Sequence, residues 1–161
     1  MGPLFLDIKG FTKSNGSFRP KELCIIDSDR STTPPYFLFQ SRCEWDMLKE
    51  EDRTHYMLQN MHQLAWDEGT SRFCRTCVNF HIRQSFPSYK KRIVYKLSDN
   101  SPYVDFIKTH FPALNLLLYP SSFEQLSTPA CFMRCPYREH GEHCAYLICM
   151  RMYHDFTSIK V

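Results

Sequence analysis

A mixed α/β fold, with a sheet flanked by helices, is predicted from three features of the chain. Short apolar, β-compatible runs follow one another in its first third; the hydrophobic period then lengthens towards that of a helix; and strand-like and helix-like segments alternate to the end. Its 161 residues are 43% hydrophobic and 15% aromatic, so one domain over 1–161 with a substantial core is expected.

The elements justify themselves in order. Leu4 to Lys9 is short and apolar, with Asp7 inside it, and reads as a first strand. Gly10, Asn15 and Gly16 then supply turn chemistry. Phe18 to Asp27 reads as a second strand and Tyr36 to Phe39 as a third, so the first three should form an antiparallel meander. Loosely spaced apolar residues from Cys43 to Leu64 suggest helical turns. Phe73, Cys77, Phe80 and Ile82 lie at near-helical spacing, and Pro87 ends that helix. Arg92 to Leu97 reads as a strand. Pro102 suits the first turn of a helix running to Thr109, because its missing N–H would be unpaired there anyway. Leu114 to Tyr119 is almost continuously apolar, as in a buried parallel strand. Ala145, Ile148, Met152 and Phe156 mark one face of a last helix from Cys144 to Phe156. Three antiparallel strands followed by alternating helices and strands give the mixed sheet.

Composition narrows the function. Only 5 Gly are present, which argues against a Gly-rich phosphate loop, and a net charge of +3 is too mild to identify a nucleic-acid binder by itself. The start Met1-Gly2-Pro3-Leu4-Phe5-Leu6-Asp7 lacks the basic region of a signal peptide, and no run approaches the about 20 apolar residues that span a bilayer. An intracellular, non-membrane protein is therefore expected, whose 8 Cys bind metal or stay reduced.

Those cysteines are not evenly spread. Cys131, Cys135, Cys144, His140 and His143 fall within fourteen residues, with Pro136 and Gly141 to turn the chain back on itself. Thiolates and imidazoles in that density suit tetrahedral zinc. Cys74 and Cys77, with His81, form a weaker second candidate; there Cys77 is expected in the core and Cys74 as a free thiol. Redox work by this pair is disfavoured, because no strand is expected immediately before it.

With Asp7 on its first strand, the layout resembles the ribonuclease H-like fold of DEDDh 3′–5′ exonucleases. In that family acids on the first strand and later helices hold two divalent ions that activate water. Asp7 matches the first acid, Asp105 resembles the helix acid, and His143 resembles the general-base histidine. Lys9 stands where the second acid of Asp-x-Glu belongs, and Ile148 stands where the final Asp belongs. The resemblance thus implies a nuclease scaffold without two-ion catalysis, an active nuclease being the alternative. A closer resemblance is to the Maelstrom domain, a degenerate relative of the piRNA pathway in which a Glu-Cys-His-Cys zinc site replaces the nuclease acids. Glu22, Cys135, His140 and Cys144 match that set, with Cys131 or His143 as alternative ligands. The resemblance implies a closed, structural Zn²⁺ site, association with RNA, and protein partners in a small-RNA pathway. Without it, Glu22 would read equally well as a solvent-facing residue of an edge strand.

A closed zinc site leaves function to the surface. Arg83, Lys90, Lys91, Arg92 and Lys96, interleaved with Tyr89 and Tyr95, suit single-stranded RNA, where phosphates pair with cations and bases stack. The alternatives are a solvated helix face, and a protein-interaction scaffold anchored by aromatics such as Trp45, Tyr56 and Tyr153. Two variants follow from the zinc expectation: Cys144→Ser should lose metal and stability together in elemental analysis and thermal melts, whereas Lys9→Ala should change neither.

Overall fold

The computed structural model describes residues 2–12, 18–29, 35–40, 49–51, 53, 69, 71–97, 101–121, 126 and 145–159. Its strands are β1 (Leu4–Thr12), β2 (Phe18–Asp27), β3 (Tyr36–Gln40), β4 (Ser71–Arg72), β5 (Ile93–Lys96) and β6 (Asn115–Leu118); its longer helices are α1 (Arg75–Ser85), α2 (Ser101–His110) and α3 (Ala145–Ile159). They form one mixed sheet in the order β4-β3-β2-β1-β5-β6. Among these strands β2 alone runs against the rest: β1 and β3 flank it antiparallel, while β1, β5 and β6 pair in parallel, as do β3 and β4.

β1 sits in the middle and is covered on both faces, so its side chains sort by parity. Leu4, Leu6 and Ile8 join Leu23, Ile25 and Val94 against Val78 and Ile82 of α1 and Ile107 of α2. Phe5 joins Cys24 and Ile26 against Ala145, Ile148, Cys149 and Met152 of α3. The sheet is therefore the central layer between α1 and α2 on one side and α3 on the other. Phe5 is the hub of the α3 side, with the rings of Tyr95, Tyr119, Tyr153 and Phe156 centred between 5.7 and 6.4 Å from its own.

The β1–β2 pairing runs from Leu4 opposite Asp27 to Lys9 opposite Glu22, then slips so that Gly10 faces Pro20. Lys21 is the extra residue of this bulge. Its side chain is buried and donates from Nζ to the Phe39 carbonyl at 2.7 Å. Only glycine fits at position 10: a Cβ there would lie 2.1 Å from the Arg19 carbonyl oxygen. At the opposite end of the hairpin, Arg92 donates from Nη1 to Asp27 at 3.0 Å and from Nε to the Gly2 carbonyl at 2.9 Å. These bonds fasten the entry of β5 to the end of β2.

Four expectations need correction. β1 continues through Thr12 instead of turning at Gly10, because the bulge lets it keep pairing with β2. β4 is too short to carry a hydrophobic pattern; it forms because Gly69, at φ +142°, lets the chain pass where a Cβ would meet the Phe39 carbonyl. The inward face of α1 is Val78 and Ile82, whereas Phe80 is 52% exposed and Cys77 is exposed too. β6 is parallel as expected but lies at the sheet edge, with Leu117 and Leu118 about half exposed, so its apolar run does not mark burial on both faces. Trp45, Tyr56 and nearly all of 43–64 lie outside the described residues.

Because Phe5 is fully buried and touches four rings, Phe5→Ala should cost about 3–5 kcal/mol, read as a lower urea midpoint.

Candidate functional site

The parity that points Phe5 at α3 also points Asp7 and Lys9 to that face, and cross-strand pairing sets Glu22 directly opposite Lys9. The result is a buried polar strip on an otherwise apolar sheet face. Asp7 is 3% exposed and Glu22 is fully buried. Lys9 Nζ lies 3.0 Å from Asp7 Oδ2. Burial raises the Asp7 carboxyl to about 6, with Lys9 pulling it back and Glu22 adding to the rise. For Lys9, burial alone would favour the neutral amine. The charge and hydrogen bond of Asp7, helped by Tyr103 and Glu22, outweigh it and hold the ammonium above its usual range. At neutral pH the pair is ionised. From α2, the Tyr103 hydroxyl donates to the Gly10 carbonyl next to Lys9 at 3.2 Å, and burial makes that phenol harder to ionise.

Glu22 faces the other way along the strip, into the start of α3. Its Oε1 accepts the Ala145 N–H at 2.7 Å and its Oε2 accepts the Tyr36 hydroxyl. α3 has no acid in its own first turn, so Glu22 supplies from β2 the negative charge that a helix start favours. The solvent-facing alternative for Glu22 is therefore excluded. The carboxylate also lies at the residue that directly follows Cys144 in sequence. Cys131, Cys135, His140, His143 and Cys144 themselves lie outside the described residues. Among the described residues no three His, Cys, Asp or Glu side chains gather as a metal group.

The sequence-derived nuclease set does not assemble as one buried site within the described residues. Asp7 is buried against Lys9, whereas Asp105 sits on the exposed side of α2, whose inward residues are Val104 and Ile107. Chemically, a divalent ion at Asp7 would have to displace an ammonium that already neutralises it.

The basic set also divides. Arg83, Lys90 and Lys91 are exposed on α1 and the following 3-10 turn, Tyr89–Lys91. Arg92 and Lys96 are not: they are 4% and 8% exposed, and Arg92 is committed to Asp27. Tyr95 is packed on Phe5 and Tyr89 against the α1-side core, so neither ring is free to stack on a base. Tyr153, a candidate anchor, packs edge-on against Phe5.

Sequence reasoning missed the helix-start role of Glu22, the bonds of the Tyr36 and Tyr103 hydroxyls, and the buried Lys21. None of these had a readable signal, since the partners of Glu22 and Tyr103 lie 123 and 93 residues away.

Against the expectation that Lys9→Ala leaves stability unchanged, the pair predicts a pH-dependent loss when Lys9 is replaced. The folded state holds the Asp7 proton more tightly than the unfolded chain does, about 6 against 3.8. Its contribution to stability is therefore complete below about pH 3.8, is lost as pH rises through about 6, and is level above that. Without Lys9 the carboxyl would titrate higher still, so the loss would continue. Relative to its own stability at pH 5, Lys9→Met should lose up to about 1.4 kcal/mol for each pH unit above 6, where the wild type stays level, in urea titrations at stepped pH. Comparison with protein-family models and with curated protein sequences gives no match to this chain.

Proposed function

We propose that the chain is a catalytically silent, ribonuclease H-like domain of the Maelstrom type, stabilised by structural zinc and binding single-stranded RNA. The observation that carries this reading is the Asp7–Lys9 pair: the position of the first nuclease acid is buried and already filled by a fixed cation at 3.0 Å. Such a site has lost the room and the charge that paired divalent ions need. The order of the five longer strands, with β2 alone reversed, supports the scaffold. An active exonuclease is the weaker alternative for the same reason.

The placement of Glu22 supports the zinc. A fully buried carboxylate bonded to Ala145, the residue after Cys144 in sequence, is a fitting hard donor to join the soft donors Cys135, His140 and Cys144 in one ligand set. When bound, the ion would supply a cross-link between β2 and the segment before α3, with no open position for water. The exposed Arg83, Lys90 and Lys91 support RNA binding by pairing with phosphates. Arg92 and Lys96 drop out of that surface, and so does base stacking on Tyr89 and Tyr95. Binding of this kind is insensitive to base sequence, and the small-RNA pathway is implied by the resemblance alone. A second reading, a protein-interaction scaffold, is favoured by the exposed Leu117, Leu118 and Phe80.

Gel shifts with a labelled single-stranded RNA should give a complex that weakens with salt. Lys90→Glu with Lys91→Glu should lower the slope of log affinity against log salt by about 0.7 for each phosphate no longer neutralised, at unchanged melting temperature. Salt-independent binding, or none, removes the RNA reading and leaves the scaffold. One zinc per chain by elemental analysis is expected of the same preparation.

A further inference from the structure

The Cys74-Arg75-Thr76-Cys77 segment departs from its expected setting in both respects. A strand does precede it: β4 ends at Arg72, and Cys74 then forms the N-cap of the eleven-residue helix α1. Cys77 is exposed and Cys74 half-buried, and both are free thiols. The Cys77 amide donates to Cys74 Sγ at 3.3 Å. Phe73, the residue before the pair, packs edge-on against Phe39 and Phe111, and the Val78 N–H bonds the Cys74 carbonyl at 3.0 Å, so the first turn is fixed on both sides.

Two cysteines three apart across a helix start differ in chemistry. The sulfur at the cap receives an amide hydrogen bond and faces the positive end of the helix, both of which favour thiolate over thiol. The side chain and then the amide of Cys77 hold the Cys74 thiol below its ordinary range. Sharing its proton with Cys74 pushes the Cys77 thiol up. One sulfur is thus prepared to attack and the other to keep its proton until needed.

We propose that Cys74 and Cys77 are a redox-active dithiol that reduces low-molecular-weight disulfides, Cys74 as the attacking sulfur and Cys77 as the resolving one. In the first step the Cys74 thiolate attacks one sulfur of the disulfide RSSR. A Cys74–SR bond forms, the S–S bond of the substrate breaks, and RS⁻ leaves. Cys77 then gives its proton to solvent and attacks Cys74 Sγ, expelling the second RS⁻. The two cysteines lose two electrons and two protons, and the substrate becomes two RSH. The step needs no metal and is independent of the RNA-binding reading.

The test uses the full chain with glutathione disulfide as probe, acid quenching, alkylation, and mass measurement of the peptide carrying both residues. The wild type should accumulate the Cys74–Cys77 disulfide and release two glutathiones per chain. Cys77→Ser should stop at a glutathione adduct on Cys74. Cys74→Ser should form an adduct on Cys77 at least about tenfold more slowly. Both variants should keep the wild-type melting temperature, since neither sulfur is in the core. Equal rates for the two variants, or an adduct with no intramolecular disulfide in the wild type, would overturn the proposal. So would thiols that react only after a chelator is added, which would make the pair a metal clip.

Discussion

A carboxylate buried in the centre of a sheet must be neutralised, and in this chain Lys9 does it from two residues along the same strand face. Much of the α3 side follows from that requirement. Lys9 brings its charge opposite Glu22, Glu22 turns its carboxylate to the first residue of α3, and α3 lays its apolar face over Phe5, Cys24 and Ile26. A polar strip on an apolar face is costly unless each member is satisfied. Here Lys9 pairs with Asp7, and the Tyr36 hydroxyl and the start of α3 both bond Glu22.

The strip also separates what the scaffold can do from what its layout suggests. A sheet of this order could present acids for metal chemistry, but the amino group of Lys9 fills the space beside Asp7. Two features that remain outside the strip bear chemistry of their own. The cations of Arg83, Lys90 and Lys91 face solvent, and the paired sulfurs stand at the start of α1. They share the α1 region of the fold, far in sequence from the cysteine- and histidine-rich stretch before α3.

The strands and helices with strong hydrophobic periodicity were legible in the residues: β2 spans Phe18–Asp27 as its pattern predicts, and α2 opens at Ser101 ahead of Pro102. Failures arose where tertiary packing decides. A two-residue strand has no pattern, and β4 exists because one glycine lets two backbones touch. An apolar run on an edge strand reads the same as a buried one, as Asn115–Leu118 demonstrates. Exposure of Arg92 could not be read from its basic neighbours, since its partner Asp27 lies 65 residues away. The same holds for the sulfurs: their spacing was plain, but the capping geometry that distinguishes them depends on where α1 begins.

The bond between Glu22 and Ala145 spans 123 positions of chain. Its consequence falls on biosynthesis. The β1–β2 hairpin, carrying Phe5, Cys24 and Ile26 on the face that α3 covers, is made well before α3, which starts 123 positions after Glu22. Until that helix docks, this side of the hairpin shows water a greasy surface with three ionisable groups, Asp7, Lys9 and Glu22, set into it. Closing so long a loop costs chain entropy, so the docking of α3 is a late step of folding.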